Sequence, residues 1–174
     1  MRDMARYKEC FERSKKAIEL RPAVGRETMS TSCRVAADTL AGEISGDGFT
    51  FRTDAAEEEG GEGLTPSAGV LVRGGMAACY AIDVVIYAAV RGIPIGEVEV
   101  EVQADYDGQG MYGLADVSPG YTALRTIVTV ESSAPEAEIV AMLDELDRHA
   151  HLLSVARDAV PLTREVRITA PVEA

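Results

Sequence analysis

Soft nucleophiles and metal-ligating side chains are few in this chain: three cysteines (Cys10, Cys33, Cys79) and two histidines (His149, His151). Cys79 is the prime candidate for chemistry. It sits in GGMAACYAIDVVIYAAVRG, Gly74 to Gly92, an almost wholly apolar segment whose one acidic residue is Asp83. A thiol reacts as its thiolate, which forms beside cations, histidines or a helix N-terminus. Asp83 stands one helical turn beyond Cys79 and raises the thiol pKa if both face one pocket. The bland alternative is a silent core cysteine, the ordinary fate of a small thiol in an Ala-rich helix.

His149 and His151 are two residues apart, so on a helix they point to different faces. A zinc site built from Cys79, His149 and His151 is therefore geometrically poor unless the chain is extended there, and neither a metal nor a cofactor is expected. His149 reads more simply as a helix C-terminal residue favoured by the helix dipole. Arg34, Arg73 and Arg125 lie in or beside apolar runs, with surface ion pairs as their default role. There is no phosphate loop, GxGxxG, GxSxG, HExxH or CxxC.

Bulk properties bound the partners. Acidic residues exceed basic ones by 29 − 17 = 12, and no lysine/arginine cluster offsets them. That argues against nucleic acid, whose phosphates need a basic face. The first residues, MRDMARYKECFERSKK, lack the apolar stretch of a signal peptide, so the expectation is a cytoplasmic protein with reduced thiols. Residues 74–90 nearly reach the length of a membrane span, but Asp83 at their centre favours a core helix and no membrane.

The elements that must position Cys79 follow from periodicity. Residues 3–20 are helix-forming, with Met4, Tyr7, Phe11 and Ile18 at helical spacing and Arg21-Pro22 as the stop. Between Glu27 and Asp54, three short runs separated by breaks predict an antiparallel meander, the last two joined by a Ser45–Gly48 hairpin turn. The charged loop 55–63 leads to a helix with Thr65 as N-cap and Pro66 in the first turn. That helix either runs unbroken to Arg91 or is interrupted at Gly74-Gly75, and Gly92-Ile93-Pro94 ends it. Being apolar on all sides, it should be buried on all sides.

Glu97–Asp105 alternates strictly, with Val98, Val100 and Val102 on one face, and should pair with Tyr121–Val130 across an irregular glycine-rich connection. Residues 132–147 form an amphipathic helix that Ser133 can cap. A short helical piece and a final strand, Thr163 to Thr169, complete an α+β domain.

The order of motifs resembles the OsmC/Ohr family, the osmotically inducible and organic hydroperoxide resistance proteins, over about residues 27–170. The resemblance rests on Ala-Ala-Cys-x-Ala-Ile-Asp (Ala77 to Asp83), the Arg91–Pro94 turn, the Glu/Val strand, and Gly-Leu-x-Asp-Val-x-Pro-Gly-Tyr (Gly113 to Tyr121). Ser-x-Ala-Pro-Glu-x-Glu (Ser132 to Glu138), Ser154 and the Val-Pro-Leu lead into the last strand add to it. It implies antiparallel sheets wrapped around a long central helix in an intertwined homodimer, with residues 1–26 a helical extension and 27–174 a single domain. It further implies a thiol peroxidase in which Cys79 attacks an organic hydroperoxide and becomes a sulfenic acid that a second cysteine resolves.

Two departures stand out. The resolving-cysteine run reads His151-Leu152-Leu153-Ser154, with histidine at the cysteine position, and the glutamate that usually follows the helix-opening proline is missing. Arg34 is the stand-in for the family's meander arginine. His151 would then stabilise the thiolate or shuttle the proton, and an external thiol or Cys33 would resolve the sulfenic acid. The alternatives are a degenerate member binding a hydrophobic small molecule between subunits, or a Cys/His metal site.

Overall fold

The computed structural model describes residues 4–158 and 160–168. Helix α1 (Met4–Leu20) precedes a three-stranded meander, β1 (Thr31–Val35), β2 (Gly42–Gly46) and β3 (Phe49–Thr53). The long helix α2 (Ala68–Arg91) follows, then the hairpin-like pair β4 (Ile95–Tyr106) and β5 (Tyr121–Ser132), which flanks the single-turn helix α3 (Gly108–Met111). Helices α4 (Glu136–Asp147) and α5 (His151–Arg157) follow, and two short 3-10 turns, Pro22–Gly25 and Glu57–Glu59, lie in the connections on either side of the meander. Each sheet is antiparallel, ordered β1-β2-β3 and β4-β5, so the α+β expectation holds.

Strand β4 turns its valines inward as the alternation predicts: Val98, Val100 and Val102 are half-buried, while Glu99 and Glu101 between them are exposed. Val98 faces Val130 and Val100 faces Val128 across the pair. These valines cover one side of α2, whose Tyr80, Val84 and Ala88 form the core together with Met142 and Leu146 of α4 and Ala150. Val84 and Met142 are 0% exposed. Helix α1 caps the C-terminal half of α2, where the Phe11 and Tyr87 rings meet edge to face at 5.9 Å. Tyr80, 3% exposed, resolves its own polarity by donating its hydroxyl to Asp147 Oδ1 at 2.6 Å.

Helix α2 passes through Gly74-Gly75 without a break and ends at Gly92, whose φ of 70° is the left-handed conformation a glycine adopts freely. Its start differs from expectation. Ser67, not Thr65, is the N-cap, accepting from the Val70 amide at 3.4 Å. The Pro66 carbonyl is engaged by the Thr53 hydroxyl at 2.8 Å and the Asp54 amide at 3.4 Å, which ties Pro66 to the end of the meander and delays the helix. Likewise Ser133 is not the cap of α4. Ser132 Oγ donates to the Pro94 carbonyl at 2.6 Å and accepts the Ala134 amide at 3.0 Å, and the helix begins at Glu136.

Two larger expectations fail within the single chain. Residues 163–168, despite their alternation, form no strand; Thr169 lies outside the described residues. A strand exists only through a partner edge, and none is supplied to this segment, where Val166 is 65% and Ile168 92% exposed. Nor is α2 buried all round. Met76, Tyr80, Val84, Ala88 and Ala89 are buried, while Val70, Gly74, Ala78 and Ile82, successive i, i+4 positions, are exposed. Among the described residues α2 is also the one helix long and apolar enough to cross a membrane. The meander packs chiefly on itself, leaving Phe49 and Phe51 exposed.

Removing the Tyr80 hydroxyl tests the one polar clamp in this core. Tyr80→Phe should destabilise by about 1.5 kcal/mol, the low end for a bond to a charged acceptor because Asp147 is exposed. Met142→Ala should cost about 2–5 kcal/mol as a core cavity. Denaturant unfolding of both variants checks the ranking.

Candidate functional site

Cys79 lies well inside α2, beyond the turns in which a helix N-terminus lowers a thiol pKa. Its neighbours come from one helical turn on and from the start of α5. The thiol donates to Asp83 Oδ2 at 3.7 Å, and its sulfur is 3.8 Å from His151 Nδ1 and 3.7 Å from His151 Nε2. Cys79 and Asp83 are half-buried and His151 is exposed.

The short helix α5 is what delivers His151. Helix α4 ends as the Arg148 and His149 amides reach back to the carbonyls of Glu145 and Leu146, and Ala150, 2% exposed, anchors the turn in the core. The next residue opens α5, which the Ser154 hydroxyl tightens by donating to the His151 carbonyl at 2.7 Å. This turn sends the two histidines apart. His149 lines a cleft with Phe11, Lys15 and Tyr87, whereas His151 meets Cys79.

Burial pushes the Cys79 thiol above its ordinary range, the Asp83 carboxylate adds to that, and the Leu152 backbone amide pulls the other way. Burial also raises the Asp83 carboxyl, against the opposing pull of His151 and the Cys79 thiol. At neutral pH the resting thiol is therefore protonated, and an acid/base partner is needed to draw it into reaction. An imidazole beside a thiol can take its proton, and the nearest imidazole is that of His151.

Arg34 is not in this cluster. It lies on β1 opposite Glu43, exposed, with no hydrogen bond or ion pair to Cys79 among the described residues. Cys33 beside it is exposed, and Cys10 on α1 is half-buried. Arg73 instead donates to the Tyr121 hydroxyl at 3.1 Å, at the edge of a cavity of about 620 Å³. That cavity, walled by residues such as Leu40, Tyr106 and Met111, sits at the N-terminal end of α2, and Cys79 is not among its lining residues. Arg125 forms a bidentate, exposed pair with Asp105 at 2.6 and 2.8 Å. The sequence placed Asp83 near Cys79 through the helical i, i+4 spacing. The resemblance placed His151 near the same sulfur, while the Leu152 amide had no signal in the sequence and is supplied only by the docking of α5.

The described residues form an α+β arrangement of two antiparallel sheets and a long central helix that carries Cys79. Residues 60–165 match the family described as OsmC-like protein, and the chain belongs to that family. Among solved structures, it is similar to an OsmC-like protein from Mycoplasma pneumoniae, with a TM-score of 0.60 at 16% identity over 75% of this chain and 88% of that one. It is also similar to an organic hydroperoxide resistance protein OsmC from Legionella pneumophila, described as a predicted redox protein and regulator of sulfide bond formation, with a TM-score of 0.53 at 19% identity, covering 75% and 90%. A third is a putative organic hydroperoxide resistance protein from Vibrio cholerae O1 biovar eltor str. N16961 with captopril bound in one of its active sites, with a TM-score of 0.51 at 18% identity, covering 75% and 86%. At these identities the likeness establishes the fold. No curated protein sequence matches the chain.

The electrostatics give a directional test. The alkylation rate of Cys79 by iodoacetamide should still be climbing at a pH where an ordinary thiol, with its pKa of about 8.5, has levelled off. Asp83→Asn removes the negative charge that opposes the thiolate. It should shift the profile to lower pH and speed alkylation at neutral pH, while burial keeps the thiol above its ordinary range.

Proposed function

We propose that this chain is a thiol-dependent redox protein that reduces organic hydroperoxides through Cys79. The observation that carries the reading is the 3.7 Å approach of His151 Nε2 to the sulfur of Cys79, the residue that the OsmC/Ohr resemblance implies as the reactive cysteine. His151 takes the thiol proton. The thiolate attacks the terminal oxygen of ROOH, the S–O bond forms as the O–O bond breaks, and the departing alkoxide takes the proton from His151 as ROH. The resulting sulfenic acid condenses with an external thiol to a mixed disulfide and water, and a second thiol regenerates Cys79. Residue 151 being histidine, this chain needs that external thiol unless exposed Cys33 supplies the sulfur.

The functional unit in this proposal is a homodimer of the domain 27–174, with residues 1–26 as a helical extension. Three unmet surfaces support it: the exposed stripe Val70, Gly74, Ala78 and Ile82 on α2, the meander that packs chiefly on itself, and the alternating segment 163–168, which pairs with no strand among the described residues. Open space stands over Gly74 and Gly75, where a second helix can approach closely. Within one chain Arg34 lies apart from the site, and the meander is the element free to bring it to a second subunit's thiol.

A second reading has its own support. The cavity beside Arg73 and Tyr121, where Leu40, Tyr106, Met111 and Pro119 meet Asp54 and Glu59, suits a small, largely hydrophobic ligand with a polar end, which a member without redox chemistry would simply bind.

Intact-mass measurement decides between them. Reduced protein treated with cumene hydroperoxide and dimedone should gain one adduct rapidly. The adduct should map to Cys79, vanish in Cys79→Ala and slow by about 10²-fold or more in His151→Ala, the range for loss of a general acid/base. Equal, slow oxidation of all three cysteines would falsify the peroxidase reading. For the assembly, sedimentation should find a dimer that Ala78→Arg converts to monomer, because a buried unpaired charge is not tolerated at such an interface.

A further inference from the structure

The cluster around Cys79 has a second chemical capacity that peroxide reduction does not use. Among the described residues, Cys79, Asp83 and His151 are the one group of three ligating side chains whose donor atoms all lie within 4.8 Å of one another. They comprise a thiolate precursor, a carboxylate and an imidazole, the donor types that Zn²⁺ takes. Two of the three come from one rigid helix at i, i+4, and the third from a separate helix, so the group is assembled by tertiary packing.

The distances suit a metal. Tetrahedral zinc with Zn–S near 2.3 Å and Zn–N or Zn–O near 2.0–2.1 Å holds sulfur about 3.6 Å from each of the other donors, and nitrogen about 3.4 Å from oxygen. Here the sulfur lies 3.7 Å from Asp83 Oδ2, one edge of that tetrahedron, and 3.8 and 3.7 Å from His151 Nδ1 and Nε2, so the imidazole stands side-on and must turn one nitrogen toward the metal. The remaining edge, no longer than 4.8 Å, closes by rotation of the exposed His151 ring. Asp83 also changes sign in this setting. A carboxylate that hinders a bare thiolate becomes a ligand beside a divalent cation, and two anionic donors offset its charge.

We propose that Cys79, Asp83 and His151 form a three-ligand site for a borderline-soft divalent cation, Zn²⁺ or Co²⁺, with a fourth position open to solvent or an exogenous donor. Binding displaces the thiol proton, Cys–SH + M²⁺ giving Cys–S–M⁺ + H⁺, so affinity rises with pH. The occupied site masks the sulfur and makes metal and electrophile mutually exclusive at Cys79. This inference does not depend on peroxide chemistry.

Titration of the untagged, reduced full chain with Co²⁺ tests it without any peroxide. One equivalent per chain should develop thiolate-to-cobalt charge-transfer absorption together with tetrahedral visible bands, and Zn²⁺ should displace them. The absorption should disappear in Cys79→Ser and persist in the Cys10→Ser/Cys33→Ser double variant. Asp83→Asn and His151→Gln should each weaken binding by about tenfold or more, at least the loss seen when a mere supporting group is removed. Bound Zn²⁺ should protect Cys79 from iodoacetamide in the same proportion, with far-UV circular dichroism confirming that each variant is folded. Absence of the charge-transfer band, its loss in the double variant, or unchanged affinity in folded His151→Gln and Asp83→Asn overturns the site. A chain that binds cobalt but gives no dimedone adduct loses the peroxidase reading alone, and the reverse result loses the metal site alone.

Discussion

The structure depends on how one helix is covered. Helix α2 is apolar around most of its circumference, yet the remaining elements of a single chain cover only the side bearing Tyr80, Val84 and Ala88. That covered side does several jobs at once. It fixes the valine face of the β4–β5 pair, seats Met142 and Leu146 of α4, and leaves Cys79 and Asp83 half-buried at its margin. Since α5 is only seven residues long, its position follows from this packing rather than from its own helical stability.

The margin is what gives the cysteine its character. Full burial would leave an inert thiol, and full exposure would give an unremarkable one. At the edge of the core, desolvation and Asp83 hold the proton on sulfur, the Leu152 amide pulls the other way, and the His151 ring stands 3.7 Å from the sulfur. The two proposals made for this thiol draw on the same electrostatics: in one a peroxide oxygen is reached by proton transfer to His151, and in the other a divalent cation turns Asp83 from an obstacle into a ligand.

Much of the fold was legible in the sequence because it depends on local periodicity. Val98, Val100 and Val102 announced a half-buried strand, and the meander, α1, α4 and the termination of α2 at Gly92 followed from alternation, turn residues and caps. The errors lie where a distant group competes for a backbone atom. Thr53 and Asp54 hold the Pro66 carbonyl, so α2 starts at Ala68. Ser132 serves Pro94 and Ala134, so Ser133 is left without the capping role. Residues 163–168 alternate like a strand but have no partner edge in one chain.

By itself, then, the sequence determined the family, the helix that carries Cys79 and the i, i+4 relation to Asp83, because all of these are matters of chain order and helical pitch. The family resemblance put His151 at the resolving-cysteine position, but only tertiary structure brings its ring to 3.7 Å from the sulfur. His149 and His151 are two residues apart in the same short turn, and nothing in their spacing separates their fates. The burial of Ala150 between them does, sending His149 towards Phe11 and Tyr87 and His151 onto Cys79. Arg34 shows the converse: a residue suggested by its place in the chain, held apart from the sulfur because the meander that carries it packs chiefly on itself within one subunit.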